Sequence, residues 1–340
     1  MSRYAAAHAN PQGPGDARPT ALQIIQDEGL VNKLTGKIAL VTGANVSIGL
    51  ETARALHATG ATVYIGSRSV AKGEAARKDI LESDPSNTAP VHVLEIQLDS
   101  FESVRKAAKE FRGKEKSLNL LVLNAGVMAT PEGRTKDGFE TQFGTNHLGH
   151  FLLFQLLKDL LLAGSTPEFN SRVVSVSSIG HRVSGVRLDD YNFEKSPYDP
   201  WQAYGQAKTS NIYLANEIER RYGARGLHAL SLHPGGIWSN LQQHVDPALM
   251  SSWKDDDDTS KGMKSPAQGA STSVYAAVSK EWEGRGGRFL SNCLEQGPCT
   301  PGQPALALAN EGYAAWAFDE EKAKRLWRDS CKFVGVEDDE

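Results

Sequence analysis

Tyr204 and Lys208 stand four residues apart within 201–222, a stretch with helical spacing, so both side chains face one side of that helix. An ammonium beside a phenol favours the phenolate and lowers its pKa from about 10 toward neutral pH. Such a phenol can pass a proton to, or take one from, an oxygen whose bonding is changing. Taken alone, Tyr204 would read as a surface tyrosine. A second group of residues lies near the start of the chain. The run 37–42 is apolar and β-branched, and the chain then turns through Gly43 and Gly49 into a helical stretch over 50–56. Glycines there let the backbone turn tightly and approach a pyrophosphate. The helix N-terminus adds free N–H groups and a partial positive charge. The plainer reading is an ordinary strand-to-helix turn.

The elements that must position these groups alternate along the chain. The spacing predicts a helix to about Ala58, stopped by Gly60, and a second strand over 61–66. That strand ends in Ser67-Arg68, where nicotinamide-binding folds often carry an acid for the ribose hydroxyl. An arginine fork grips a 2′-phosphate that a carboxylate would repel. Arg68, with Lys72 as a second cation, therefore favours NADP(H); the rival reading makes Arg68 a solvated loop residue. A helix is expected over 70–81 and a strand over 91–96. Asp99 follows, at a level where its carboxylate could accept from an adenine amino group. A helix over 100–111 leads to a strand from Leu120 that runs into Asn124 and Gly126. Asn124 suits either cofactor contact or the tying together of strands. A long helix over 138–162 contains Asn146, a residue that often marks a distortion in mid-helix. Strands over 172–178 and 227–232 complete the pattern. Together these predict an α/β doubly wound, Rossmann-type, predominantly parallel sheet of about seven strands with helices on both faces.

Composition narrows the class. The chain has 340 residues, 40% of them hydrophobic, enough for a substantial core. The net charge of −4 gives no basic stripe for nucleic acid. Three cysteines make no disulfide framework and fit a reduced, cytoplasmic setting. Cys293 and Cys299 lack the His/Cys company of a metal site, and no metal is expected. Residues 1–36 read as an extension: 1–19 disordered and without the apolar core of a signal peptide, then a short helix over 21–30 capped by Thr20. No run reaches a membrane span. The apolar stretch 151–157 suits an interior helix or a subunit interface. Residues 37–335 read as one dinucleotide-binding catalytic domain, with substrate loops at 179–200 and 237–266. The acidic run 255–258 reads as a mobile, solvated loop.

In order along the chain come Thr42-Gly43-Ala44-Asn45…Ile48-Gly49, Asp99, Asn124-Ala125-Gly126, Asn146, Ser178, Tyr204-x-x-x-Lys208 and Pro234-Gly235-Gly236-Ile237-Trp238-Ser239. Over about 37–299 the chain resembles the short-chain dehydrogenase/reductase family, in its retinol-dehydrogenase-like and WW-domain-oxidoreductase-like branch and particularly the fungal members. The resemblance implies that Tyr204 is the proton carrier and that Lys208 acts on it and reaches the nicotinamide ribose. It implies that Ser178 hydrogen-bonds the substrate oxygen and that Asn146 holds a water completing a proton path. Gly43, Asn45, Ser47, Ile48 and Gly49 would flank the cofactor, with Ile237 and Ser239 at its carboxamide. The implied activity is NADP(H)-dependent hydride transfer with a hydrophobic carbonyl or alcohol, fitting a fungal secondary-metabolism step. A homodimer through the helices at 146–162 and 201–222 is also implied. Ser47 departs from the family pattern, standing where its middle glycine would be. A serine Cβ crowds the pyrophosphate or its hydroxyl donates to it. That departure motivates the alternative of a non-catalytic NADP(H)-binding regulatory protein. The gap from Ser178 to Tyr204 holds Tyr191, Phe193, Tyr198 and Trp201, which suit a pocket wall or the packing of the insertion.

Overall fold

The computed structural model of the chain describes residues 3–308 and 311–339. Its strands are β1 (Ile38–Thr42), β2 (Thr62–Ser67), β3 (Val91–Glu95), β4 (Leu120–Leu123), β5 (Ser171–Val176), β6 (Leu227–His233), β7 (Arg288–Ser291) and β8 (Leu294–Glu295). Its helices are α1 (Ala5–His8), α2 (Ala21–Asp27), α3 (Ser47–Ala58), α4 (Val70–Ser83), α5 (Phe101–Lys114), α6 (Thr141–Phe143), α7 (Gly149–Gly164), α8 (Pro200–Tyr222), α9 (Pro247–Asp255), α10 (Asp257–Gly262), α11 (Pro266–Gly269), α12 (Ser271–Val278) and α13 (Glu320–Val334).

The strands form one sheet in the order β3-β2-β1-β4-β5-β6-β7-β8. The first seven run parallel, and the two-residue β8 adds an antiparallel edge to the seven expected strands. Every residue of β1, β4, β5 and β6 is buried. This is why these segments read as continuous apolar runs: helices cover both faces of the sheet. Leu40, Leu121 and Val173 point to one core with Phe151, Tyr213 and Trp327. Val41, Val122 and Val174 point to the other with Ile24, Leu56 and Val274. Strand order reverses between β1 and β4, which opens a crevice beyond their carboxyl ends.

Several expectations need correction. Thr20 caps α2 as read, accepting from the Gln23 amide at 3.2 Å. Residues 3–19, however, are laid against the body of the protein instead of being disordered; Met1 and Ser2 lie outside the described residues. Arg18 is 4% exposed and held by backbone carbonyls. The expected helix over 138–162 is broken into α6, a π-helical turn over Gly144–Leu148, and α7. Asn146 sits in that π turn. The run 255–258 is not a mobile loop. Asp256 caps α10 by accepting from the Thr259 amide at 2.8 Å, and Asp257 and Asp258 occupy the first turn, where negative charge meets the positive helix end. Most of the apolar run from Phe151 is interior: Phe151 and Phe154 lie under Trp327 of α13, while Leu156 is half-buried. Of the insertion's aromatics, Tyr191 stacks on Phe143 and Phe193 meets Tyr198 edge-on, so these three pack the insertion. Trp201 alone reaches the cavity described next.

Candidate active site

Three side chains meet where β5 ends against α8. Ser178 follows β5 and caps the short turn Ile179–Arg182, its hydroxyl accepting from the Gly180 amide at 3.0 Å. The Ser178 hydroxyl also favours the ionised form of the Tyr204 phenol beside it. Tyr204 is 3% exposed and Lys208 is 4% exposed. The Lys208 ammonium donates to the Val176 carbonyl at 3.1 Å and lies 5.7 Å from the centroid of the Tyr204 ring. Hydroxyls and amides lash the two elements together. Ser177 Oγ donates to the Lys208 carbonyl at 2.7 Å, Ser175 Oγ to the Asn211 carbonyl at 2.9 Å, and Asn211 Nδ2 to the Val176 carbonyl at 3.1 Å.

The electrostatics differ from the expectation that Lys208 pulls the phenol toward neutral pH. Burial pushes Tyr204 up to about 12, and the Ser178 hydrogen bond opposes it only in part. Burial also brings Lys208 down to about 8. The ammonium is aimed at a carbonyl and not at the phenol oxygen, so desolvation dominates both groups. At neutral pH the phenol keeps its proton and the lysine keeps its charge.

Asn146 stands across Gly126 from Lys208. A Cβ at Gly126 would lie 3.1 Å from Asn146 Oδ1 and 3.4 Å from Lys208 Nζ. Both ends of the Asn146 amide are engaged by Val127, accepting from its N–H at 2.8 Å and donating to its carbonyl at 2.9 Å. The side chain thus pins the loop after β4. His150 was not anticipated from the sequence. It is fully buried, and desolvation brings its pKa to about 3, so it is neutral. Its Nδ1 donates to the Asn146 carbonyl at 2.9 Å, and its Nε2 accepts from Thr42 Oγ1 at 2.9 Å. Thr42 Oγ1 in turn accepts the amides of Asn124 and Ala125 at 2.9 and 3.1 Å. One buried path thereby joins β1, the turn after β4 and the π turn. Its only trace in the sequence is a histidine four residues after Asn146.

The glycine turn has the form of a nucleotide cradle. Gly43 has φ +66°, and a Cβ at Gly49 would sit 2.3 Å from the Gly43 carbonyl oxygen, so only glycine lets α3 start this close to β1. Asn45 and Ile48 are half-buried on that turn. Asn124 Nδ2 donates to the Thr42 carbonyl at 2.9 Å, the strand-tying role; the residue also borders the cavity. Ser47 adopts φ +52°, the conformation its missing glycine would take, and its hydroxyl is buried without a partner among the described residues. Both features cost stability. Ser47→Gly is expected to stabilise the nucleotide-free protein by about 1 kcal/mol, read as a rise in thermal midpoint. A lowered midpoint would show that the serine relieves more than it strains. Arg68 is exposed just past β2 and makes no ion pair among the described residues, while Lys72 is exposed in the first turn of α4. Asp99 follows β3, half-buried, its backbone carbonyl accepting from Lys136. The close start of α3 on β1 at Gly49 and the exposed Arg68 guanidinium at the end of β2 fit a dinucleotide.

The site opens into a cavity of about 220 Å³. Met128, Trp201, Trp238, Trp253, Met263 and Leu308 are among its walls, beside Ser178 and Tyr204. Ile237 and Ser239 also border it. The Ile237 carbonyl accepts from Gln242 Nε2 at 2.7 Å, and Ser239 is engaged in a capping box with Gln242. Trp253 and Met263 fall within the expected substrate loop 237–266 without being singled out, and Leu308 was not anticipated, because only tertiary packing brings them to the cavity.

A profile of the short chain dehydrogenase family matches residues 37–249. Short-chain dehydrogenase/reductase prx1 of Penicillium roqueforti is 51% identical over 334 residues, covering 98% of this chain and 95% of the relative. Retinol dehydrogenase 12 of Mus musculus is 37% identical over 305 residues, covering 90% and 88%. Among solved structures, an uncharacterized protein from Mycobacterium paratuberculosis superposes with a TM-score of 0.66 at 32% identity, covering 91% and 97%.

Proposed function

The chain belongs to the short-chain dehydrogenase/reductase family, and on that footing we propose that it is an NADP(H)-dependent reductase of hydrophobic ketones or aldehydes. The observation that carries this reading is the convergence of Ser178, Tyr204 and Lys208 on an apolar, tryptophan-walled cavity at the carboxyl end of a parallel sheet. A bound dihydronicotinamide would supply the hydride. Ser178 and Tyr204 would hold the carbonyl oxygen, and the Tyr204 phenol would give that oxygen its proton, leaving the alcohol. The Lys208 ammonium would stabilise the phenolate that remains, charge that develops in a buried setting.

Besides Lys208, whose ammonium donates to the Val176 carbonyl, the cavity walls named above carry no charge. This supports an uncharged, largely apolar substrate, as does likeness to a protein named for retinol. The Penicillium proteins it resembles are named as a short-chain dehydrogenase/reductase and an oxidoreductase, which supports the redox assignment. Three free cysteines are in keeping with a reducing, cytoplasmic setting. No helix among the described residues is long and apolar enough to cross a membrane.

The test is nicotinamide absorbance during incubation of the protein with NADPH or NADH and a panel of hydrophobic ketones and aldehydes. Consumption of NADPH supports the assignment. Tight NADPH binding with no turnover on any compound supports the regulatory alternative. For the cofactor preference, Arg68→Ser is expected to weaken NADPH binding about tenfold, the loss of a charge-assisted contact to a phosphate, and to leave NADH unchanged. Fluorescence titration of both nucleotides checks this; equal effects on the two would remove Arg68 from the 2′-phosphate.

A further inference from the structure

The N-terminal segment carries a buried cation that the chemistry above does not use. Arg18 Nη1 donates to the Gly262 carbonyl at 2.7 Å, and Nη2 donates to the carbonyls of Met263 at 2.5 Å, Gly13 at 3.1 Å and Lys261 at 3.3 Å. Its Nε meets Asp16 Oδ1 at 2.8 Å. Gln268 closes the cluster. Its Nε2 donates to the carbonyls of Asp16 and Arg18, both at 3.1 Å, and its Oε1 accepts the Gly15 amide at 2.9 Å. The Gly13 amide adds a bond to the Lys261 carbonyl at 2.9 Å.

Three of the four carbonyls that Arg18 collects, those of Lys261, Gly262 and Met263, lie at the C-terminal end of α10. The last carbonyls of a helix have no partner within it and carry its partial negative charge. A planar guanidinium can satisfy several at once, which an ammonium cannot do in the same geometry. The residues held there bear directly on the cavity. Thr259 and Met263 border it. Next in sequence, the Lys264 amide donates to the Gly236 carbonyl at 2.8 Å, and its Nζ donates to the Pro234 carbonyl at 3.3 Å and Asn292 Oδ1 at 2.7 Å. A continuous set of polar contacts thus runs from Arg18 through 261–263 to the Pro234–Gly236 turn on the cavity's rim.

We propose that Arg18 is a positioning residue: from the N-terminal segment it fixes the end of α10 and so sets where the Met263 wall of the substrate cavity stands. This rests on the reading of that cavity as the substrate site. The experiment is Arg18→Met in the full chain, followed by hydrogen–deuterium exchange and by kinetics on a graded series of n-alkyl phenyl ketones. Peptides over 256–264 are expected to exchange about tenfold faster, with those over β4, β5 and β6 unchanged. KM for the longer ketones is expected to rise roughly fivefold with kcat and NADPH affinity little altered, the pattern of lost uniform binding. Unchanged exchange over 256–264, or equal acceleration through the sheet, would overturn the proposal. If Arg18→Met yields no folded protein, Gln268→Met loosens the same cluster with Arg18 intact, and the same local acceleration is required of it. Should the wild-type protein reduce none of the ketones, the proposed activity fails, while the exchange data still decide the role of Arg18.

Discussion

Tyr204→Phe is expected to lower kcat by about 10²- to 10⁴-fold, the usual worth of a positioned general acid, while NADPH binds almost as before. The substitution removes one oxygen and leaves the ring. That ring is held by contacts that do not need the hydroxyl: it lies edge-on to Trp201 at 6.3 Å and in a small cluster with Met128, Ala129 and Val245. The loss therefore falls on the proton and not on the shape of the pocket. The hydroxyl it deletes stands beside Ser178, and burial keeps it protonated at neutral pH. Steady-state kinetics with a fluorescence titration of NADPH measures both halves. A variant with undiminished turnover would place the proton donor elsewhere, and one that no longer bound NADPH would mean the hydroxyl served the cofactor.

Trp327→Ala is expected to give the largest loss of stability, about 3–5 kcal/mol, or roughly 5–10 °C in thermal midpoint. Trp327 is 2% exposed and sits at the junction of α13 with α7 and α8. Its ring meets Phe151 edge-on at 5.0 Å and Phe154 at 6.1 Å, and the Arg221 guanidinium lies 4.5 Å from its centroid. Its indole N–H donates to Asp338 at 3.1 Å. Truncation leaves a void beneath α13, and the helix has few other large apolar anchors. A second readout follows from what α13 covers. Loosening it uncovers the Phe151 and Phe154 face, and the variant is expected to self-associate in sedimentation velocity. A thermal midpoint within a degree or so of the parent would show that α13 adds little to the fold.

How much of this could be read from sequence depends on whether a residue's role is local. The parallel strands were legible because helices cover both faces, which forces unbroken apolar runs such as 120–123 and 227–232. The glycine turn was legible because the space beside Gly49 admits no side chain. Tyr204 and Lys208 were legible as a pair because a helix puts residues four apart on one side. What escaped was whatever tertiary packing decides. Arg18 reads as a solvated charge in a polar leader, and only the carbonyls of distant α10 make it a buried residue. The direction of the Lys208 ammonium, toward Val176, depends on the level of β5 beside α8, so the phenol was expected at a lower pKa than burial allows. The insertion's aromatics looked alike in sequence. Only contact with Phe143 and with one another separates Tyr191, Phe193 and Tyr198 from Trp201.

The π turn at Gly144–Leu148 holds one more residue than an ordinary helical turn needs. Deleting a single codon there would let α6 run straight into α7 with the later apolar stripe still in phase. Such a chain would keep its core yet swing Asn146 and its carbonyl away from Gly126, His150 and Lys208. Circular dichroism and NADPH turnover of such a deletion would show whether competence at this site can be lost without loss of the fold.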